Sequence, residues 1–118
     1  MERRLRLRRS QDFSRLRQQG HSSGHRMLAF NYMANGLPNN RYGFITSKRL
    51  GNAVTRNRVR RILREVVRSL HPHLNTGYDI VIVARPAIVG QPLTVIQRII
   101  TEKAHQAGLL SSVESDLL

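Results

Sequence analysis

The chain has 118 residues, a net charge of +13 and no cysteine. That length fits one ordinary domain, and the missing cysteine excludes disulfides, thiolate chemistry and cysteine-held zinc. Lysine and arginine outnumber aspartate and glutamate by 20 to 7, a self-repulsion that a polyanion relieves.

Nearly all the basic residues are arginine; Lys48 and Lys103 are the only lysines. A guanidinium forks onto phosphate with paired hydrogen bonds and stacks on bases, so this usage favours nucleic acid over a membrane surface. No apolar run approaches the roughly 20 residues of a membrane span. The start, MERRLRLRRSQDF, has no apolar h-region and is not a secretory signal, and Glu2 and Asp12 weigh against an organelle transit peptide. The expectation is a soluble, cytoplasmic protein with one nucleic-acid-binding domain over residues 1–110, including a basic arm over 1–9, and a disordered tail over 111–118.

In chain order, residues 1–9 carry Arg3, Arg4, Arg6, Arg8 and Arg9 around Leu5 and Leu7, which predicts an extended arm that becomes ordered on a polyanion. Ser10 suits the N-cap of a short helix over residues 11–19, with Asp12 in its first turn and Gly20 at its C′ position. Phe13 and Leu16 make a thin apolar stripe, with Phe13 a core anchor at the edge of a groove. Residues 21–25 (HSSGH) read as a connection with a short bridge of strand. Residues 27–33 (MLAFNYM) read as a strand whose core face is Leu28, Phe30 and Tyr32. The turn cluster NGLPNN over 35–40 leads to a second strand over 41–47 (RYGFITS), which predicts a hairpin.

Residues 48–68, KRLGNAVTRNRVRRILREVVR, hold eight basic residues against one acid, Glu65. The apolar series Val54, Val59, Ile62, Leu63, Val66, Val67 and Leu70 has the spacing of one helix face. Asn52 caps this helix, with Thr55 as the alternative, and it stops before Pro72. Asn57, Arg61, Arg64 and Arg68 fall opposite the apolar stripe, and Arg56, Arg58 and Arg60 flank that line. Glu65 is placed to pair with Arg61 at i, i+4. Residues 78–84 (YDIVIVA) have the continuous apolar run of a central, two-sided strand. A last helix follows Pro92, its apolar face built on Leu93, Ile96, Ile100, Ala104 and Ala107, and Gly108 caps it. The order predicts an α+β fold, an α/β two-layer sandwich. The strands flanking the basic helix are parallel, with a crossover that general rules make right-handed.

No side-chain constellation for catalysis emerges. His21, His25, His71, His73 and His105 lack a metal-ligand spacing, and the segment His71-Pro72-His73 reads as a capping or surface element. The seven acids are scattered, and Ser22, Ser23 and Ser47 have no base-and-orienter arrangement. Protein metal positions stay open. Binding is the stronger reading: arginines on a rigid helix hold phosphates, and the six aromatics are too few for much stacking beyond the core. RNA recognised by backbone and shape fits best. Strands stand where a helix-turn-helix needs a helix, which argues against DNA.

Lys48-Arg49-x-Gly51-Asn52-Ala53-Val54-x-Arg56-Asn57-Arg58-x-Arg60-Arg61-x-x-Arg64-Glu65 resembles the signature of the bacterial ribonuclease P protein family. Residues 5–20, with Asp12-Phe13, look like the family's first helix. Tyr42-Gly43-Phe44 and Tyr78 to Pro86 look like its strands, in the same order. The resemblance implies an αβββαβα fold of the type of ribosomal protein S5 domain 2, with a left-handed crossover around the basic helix in place of the general rule. It implies a partner RNA that carries catalysis, magnesium as a cofactor recruited through that RNA, and precursor tRNA as substrate, cut once to leave a mature 5′ end. By position, Lys48, Arg49, Asn52, Arg56, Asn57, Arg58, Arg60, Arg61, Arg64 and Arg68 become RNA-binding residues. Phe13 matches an aromatic of the cleft for the 5′ leader, while Arg17 and Asn31 stand where the family can carry further aromatics. These departures imply polar, charge-based contacts with the leader. The rival readings are a generic RNA-binding or ribosomal-type protein without a role in cleavage, and a protein-only nuclease.

Overall fold

The computed structural model describes residues 5–7 and 9–111, which form α1 (Ser10–Gln19), β1 (His21–Gly24), β2 (Leu28–Ala34), β3 (Arg41–Ile45), α2 (Ala53–Leu70), β4 (Tyr78–Ala84) and α3 (Leu93–Gln106). The class is α+β and the order αβββαβα, as expected. Arg3, Arg4 and Arg8 of the basic arm, and nearly all of the expected tail, lie outside the described residues.

The four strands form one sheet in the order β1-β2-β4-β3. β4 takes an interior place because both of its faces are apolar. Ile80 and Ile82 enter the main core, while Val81 is buried on the reverse face with Val83 beside it. β2 pairs antiparallel to it, with Asn31 opposite Val81, and β3 pairs parallel to it, with Tyr42 opposite Ile80. The expected hairpin between residues 27–33 and 41–47 is therefore corrected: β4 lies between these strands. The turn over 35–40 steps across two strand spacings, roughly 10 Å, and is stitched to the start of β4. The Asn35 amide donates to the Gly77 carbonyl at 2.8 Å. Buried Asn40 donates to the Asn75 carbonyl at 2.9 Å and accepts from the Tyr78 amide at 2.8 Å. The true hairpin is β1–β2, where a connection was expected, and the His21 and Tyr32 rings stack at 5.1 Å on it.

α2 and α3 cover one sheet face. Val59, Leu63, Val66, Val67 and Leu70 meet Ile96, Ile99, Ile100 and Ala104 over Leu28, Phe30, Ile80 and Ile82. Each fully buried large side chain in this layer contributes about 1.5–3 kcal/mol. Val54 does not join the stripe; it is 69% exposed. At 3.6 residues per turn it lies about 140° around the helix from Val59. Asn52 is the cap, accepting from the Thr55 amide at 2.9 Å. Asn52→Ala should cost about 1 kcal/mol, read as a lowered urea midpoint. The other end of α2 is tied down by the Tyr42 hydroxyl and His71 Nδ1, 2.6 Å apart, so His71 is both a helix end and a link to β3.

α1 lies on the reverse face, where Leu16 joins Leu7 and Val81. Ser10 is inside the helix rather than its cap, since Arg9 carries the extended backbone of the N-cap and no side chain caps the end. Gly20 does end the helix, but with extended backbone. A Cβ there would meet the Leu16 carbonyl oxygen at 2.5 Å, so close approach and not left-handed geometry requires the glycine. Part of the expected arm is already ordered: Leu5 and Leu7 are buried, and the Leu7 amide donates to the Tyr42 carbonyl at 2.8 Å along the edge of β3. The described part of residues 5–20 is thus α-helical only from Ser10. α3 ends at Gln106 with Ala107 as its C-cap, one residue before the expected Gly108, which turns the chain at φ +73° with the Leu109 amide returning to the Ala104 carbonyl at 2.9 Å. Pro92 precedes α3 as its N-cap.

Candidate nucleic-acid interface

α2 is pinned to the sheet along one side, so its side chains sort by their position around the axis. Asn57, Arg61, Arg64 and Arg68 are exposed on the far side, as their spacing predicts. Arg61, Arg64, Glu65 and Arg68 line a shallow depression of about 190 Å³. Glu65 pairs with Arg68 at 2.9 Å rather than with the expected Arg61. Both are surface pairs that contribute little, but the choice leaves Arg61 and Arg64 without an acidic partner among the described residues.

The two flanks of α2 differ. Arg60 leans toward β3, donating to the Thr46 hydroxyl and to Asn57 Oδ1. With Arg6 and Arg64 it lines a cleft of about 140 Å³ whose other walls include Phe13, Gly43 and Phe44. Partial desolvation on the cleft side of the otherwise exposed Arg64, then the nearby Arg6 and Arg60 guanidiniums, hold it below the ordinary arginine range. Arg56, half-buried, keeps its Nε buried without a hydrogen-bond partner in the described structure, a donor that the fold does not satisfy. Arg58 points to the opposite flank, beside the connection from β4 to α3. Before the helix, the single 3-10 turn Lys48–Leu50 presents Lys48 and Arg49 to solvent and anchors itself with buried Leu50. Asn52 is nearby, with its side-chain oxygen engaged in the cap.

Phe13, Arg17 and Asn31 come together on the reverse face. They line one groove of about 90 Å³ with Leu16, Ile45, Val81 and Val83. The Asn31 side-chain Nδ2 donates to the Val81 carbonyl at 3.1 Å, which fixes the orientation of that side chain. Phe13 lines both this groove and the arginine cleft. It sits against Gly43 so closely that a Cβ there would come 2.7 Å from its ring. The cleft beside Arg60 and Arg64 therefore runs up to the same aromatic wall as the groove of Arg17 and Asn31. Arg6, Gly43 and Phe44 were not among the expected site residues. The signal for Arg6 was the alternation Leu5-Arg6-Leu7 against the edge of β3, visible only once that pairing is known.

Among the described residues no group of three or more His, Asp or Glu side chains is arranged to hold a metal, and no helix is long and apolar enough to cross a membrane. The buried acids are structural. Asp79 accepts from Arg41 at 2.9 and 2.8 Å and from Asn35 at 2.9 Å, and Asp12 lies 2.8 Å from Arg15 and 3.6 Å from Arg41.

This chain is similar to known proteins. A family model described as Ribonuclease P matches residues 1–107. The ribonuclease P protein component of Roseiflexus sp. (strain RS-1) is 40% identical over 116 residues, covering 98% of this chain and 95% of that protein. That of Chloroflexus aggregans (strain MD-66 / DSM 9485) is 41% identical over 117 residues, covering 98% and 87%. A solved structure of a Staphylococcus aureus RNase P protein mutant with defective mRNA degradation activity superposes with a TM-score of 0.86 at 31% identity, covering 93% of each chain.

Proposed function

From the premise that this chain belongs to the ribonuclease P protein family, as the protein subunit that serves tRNA 5′ processing, we propose that it binds the catalytic RNA through α2 and holds the 5′ leader of precursor tRNA against the sheet. Family membership sets aside a generic ribosomal-type role. The reaction is the endonucleolytic hydrolysis of one phosphodiester, which frees the leader and leaves the mature tRNA 5′ end. The RNA carries that chemistry and, in this reading, also holds the magnesium; this chain supplies no catalytic residue. The setting is cytoplasmic.

The observation that carries the reading is the continuity of two surfaces. The exposed arginines of α2 pass, through Arg60 and Arg64, into a cleft that ends at Phe13. Beyond Phe13 the groove continues along Arg17 and Asn31. Guanidiniums on a helix pinned to the sheet hold phosphates in fixed register without reading sequence. Lys48, Arg49, Arg56, Arg61, Arg64 and Arg68 suit the folded RNA, with Asn52, Asn57 and Arg58 beside them, and Arg60 stands at the junction. Arg17 and Asn31 suit an unpaired leader held by charge and hydrogen bonding, with Phe13 as the one stacking platform.

Reconstitution tests this. The protein alone should not cleave precursor tRNA. Adding the catalytic RNA at low magnesium should give a single cut at the mature 5′ end, faster than the RNA alone. Cleavage by protein alone would overturn the assignment of catalysis, and absence of any stimulation would overturn the assisting role.

A further inference from the structure

Among the described residues four large apolar side chains are substantially exposed: Val54 at 69% and Val89 at 40%, together with Leu37 and Leu93. Val54 and Val89 line one groove, of about 320 Å³, between the first turns of α2 and the connection from β4 to α3. Ile62 and Ile88 form apolar walls, and Arg58 and Gln91 stand at polar positions within the lining. Gly90, at φ +82°, turns the chain here, and a Cβ on it would meet nothing within 4 Å. The groove lies on the flank of α2 away from Phe13, so it belongs neither to the arginine cleft nor to the groove of Arg17 and Asn31.

We infer that this groove takes one unstacked nucleobase of the catalytic RNA, with the Arg58 guanidinium on the base or its flanking phosphate. The inference rests on the proposed function and adds a contact to it. Three observations favour RNA as the occupant. A net charge of +13 opposes seating a second copy of this chain. The groove opens from the first turns of the same helix that exposes Arg58, Arg61, Arg64 and Arg68, so an RNA held there already runs past it. Its lining pairs apolar walls with an arginine plane and a side-chain amide, the combination that receives a splayed base and hydrogen-bonds its edge.

The test pairs Val54→Ser with Val89→Ser, which removes the apolar walls without changing charge. Both side chains are exposed, so the thermal midpoint should hold. Affinity for the catalytic RNA should fall about tenfold, while the slope of log affinity against log salt stays that of the wild type, since no phosphate contact is lost. Chemical probing of base edges should show one nucleotide protected by the wild-type protein and exposed with the paired variant. Retention of RNA that the variant leaves unchanged would overturn this inference alone, and so would altered self-association of the protein in place of altered RNA affinity. Failure of the wild type to bind the RNA would overturn the proposed function, and this contact with it.

Discussion

Replacing Arg61 and Arg64 together by alanine should weaken binding to the catalytic RNA about tenfold or more at low salt. The slope of log affinity against log salt should flatten by about 1.4 to 1.8, the loss expected when two phosphate contacts disappear. The fold should not suffer. Both side chains are exposed on the side of α2 away from the core. Arg64 also faces the like-charged Arg6 and Arg60 guanidiniums. Removing it relieves repulsion, so the melting temperature should hold or rise. A flattened slope with unchanged stability places these residues on phosphates. A lower melting temperature would place them in the packing instead.

The second large effect is on stability. Asp79 is 1% exposed and receives two hydrogen bonds from Arg41 and one from Asn35. It thereby ties β4 to β3 and to the turn over 35–40. Asp79→Ala leaves a partly buried guanidinium without its main partner, and breaking a buried pair in this way costs 3–5 kcal/mol. The low end applies, about 3 kcal/mol, because Asp12 stays 3.6 Å from Arg41. The urea midpoint should fall accordingly. Asp79→Asn keeps an acceptor in place and should lose less. Equal midpoints for the alanine variant and the wild type would show that the cluster is held elsewhere.

What was legible in the sequence was what local physics decides. α2 was readable nearly to its ends, because the period of Val59, Leu63, Val66 and Leu70 agrees with the Asn52 cap and the Pro72 stop. The interior position of β4 was readable because YDIVIVA has no polar face to give to water. The family motif then supplied the expected positions of the candidate site. The strand order was not legible, because the partner of β2 lies 50 residues away in Asn31 opposite Val81, and nothing between residues 35 and 40 distinguishes a hairpin from a step across a strand. Ser10 was misplaced by one residue, since cap preference does not outweigh the backbone that Arg9 adopts. The groove wall at Phe13 was only half legible: its residue stood out, but the glycine that seats it is on another strand.

The interior place of β4 also bears on how the chain is made. Synthesis runs from the N-terminus, so β4, which holds the sheet together, is its last strand to emerge. Until residue 84 is available, the β1–β2 hairpin can form but β3 has no strand to pair with, and Ile80 and Ile82 are missing from beneath α2. Contacts so distant in sequence form slowly and leave unpaired edges exposed in the meantime. For such a cationic nascent chain, the arginine-rich helix is complete before the sheet that will support it.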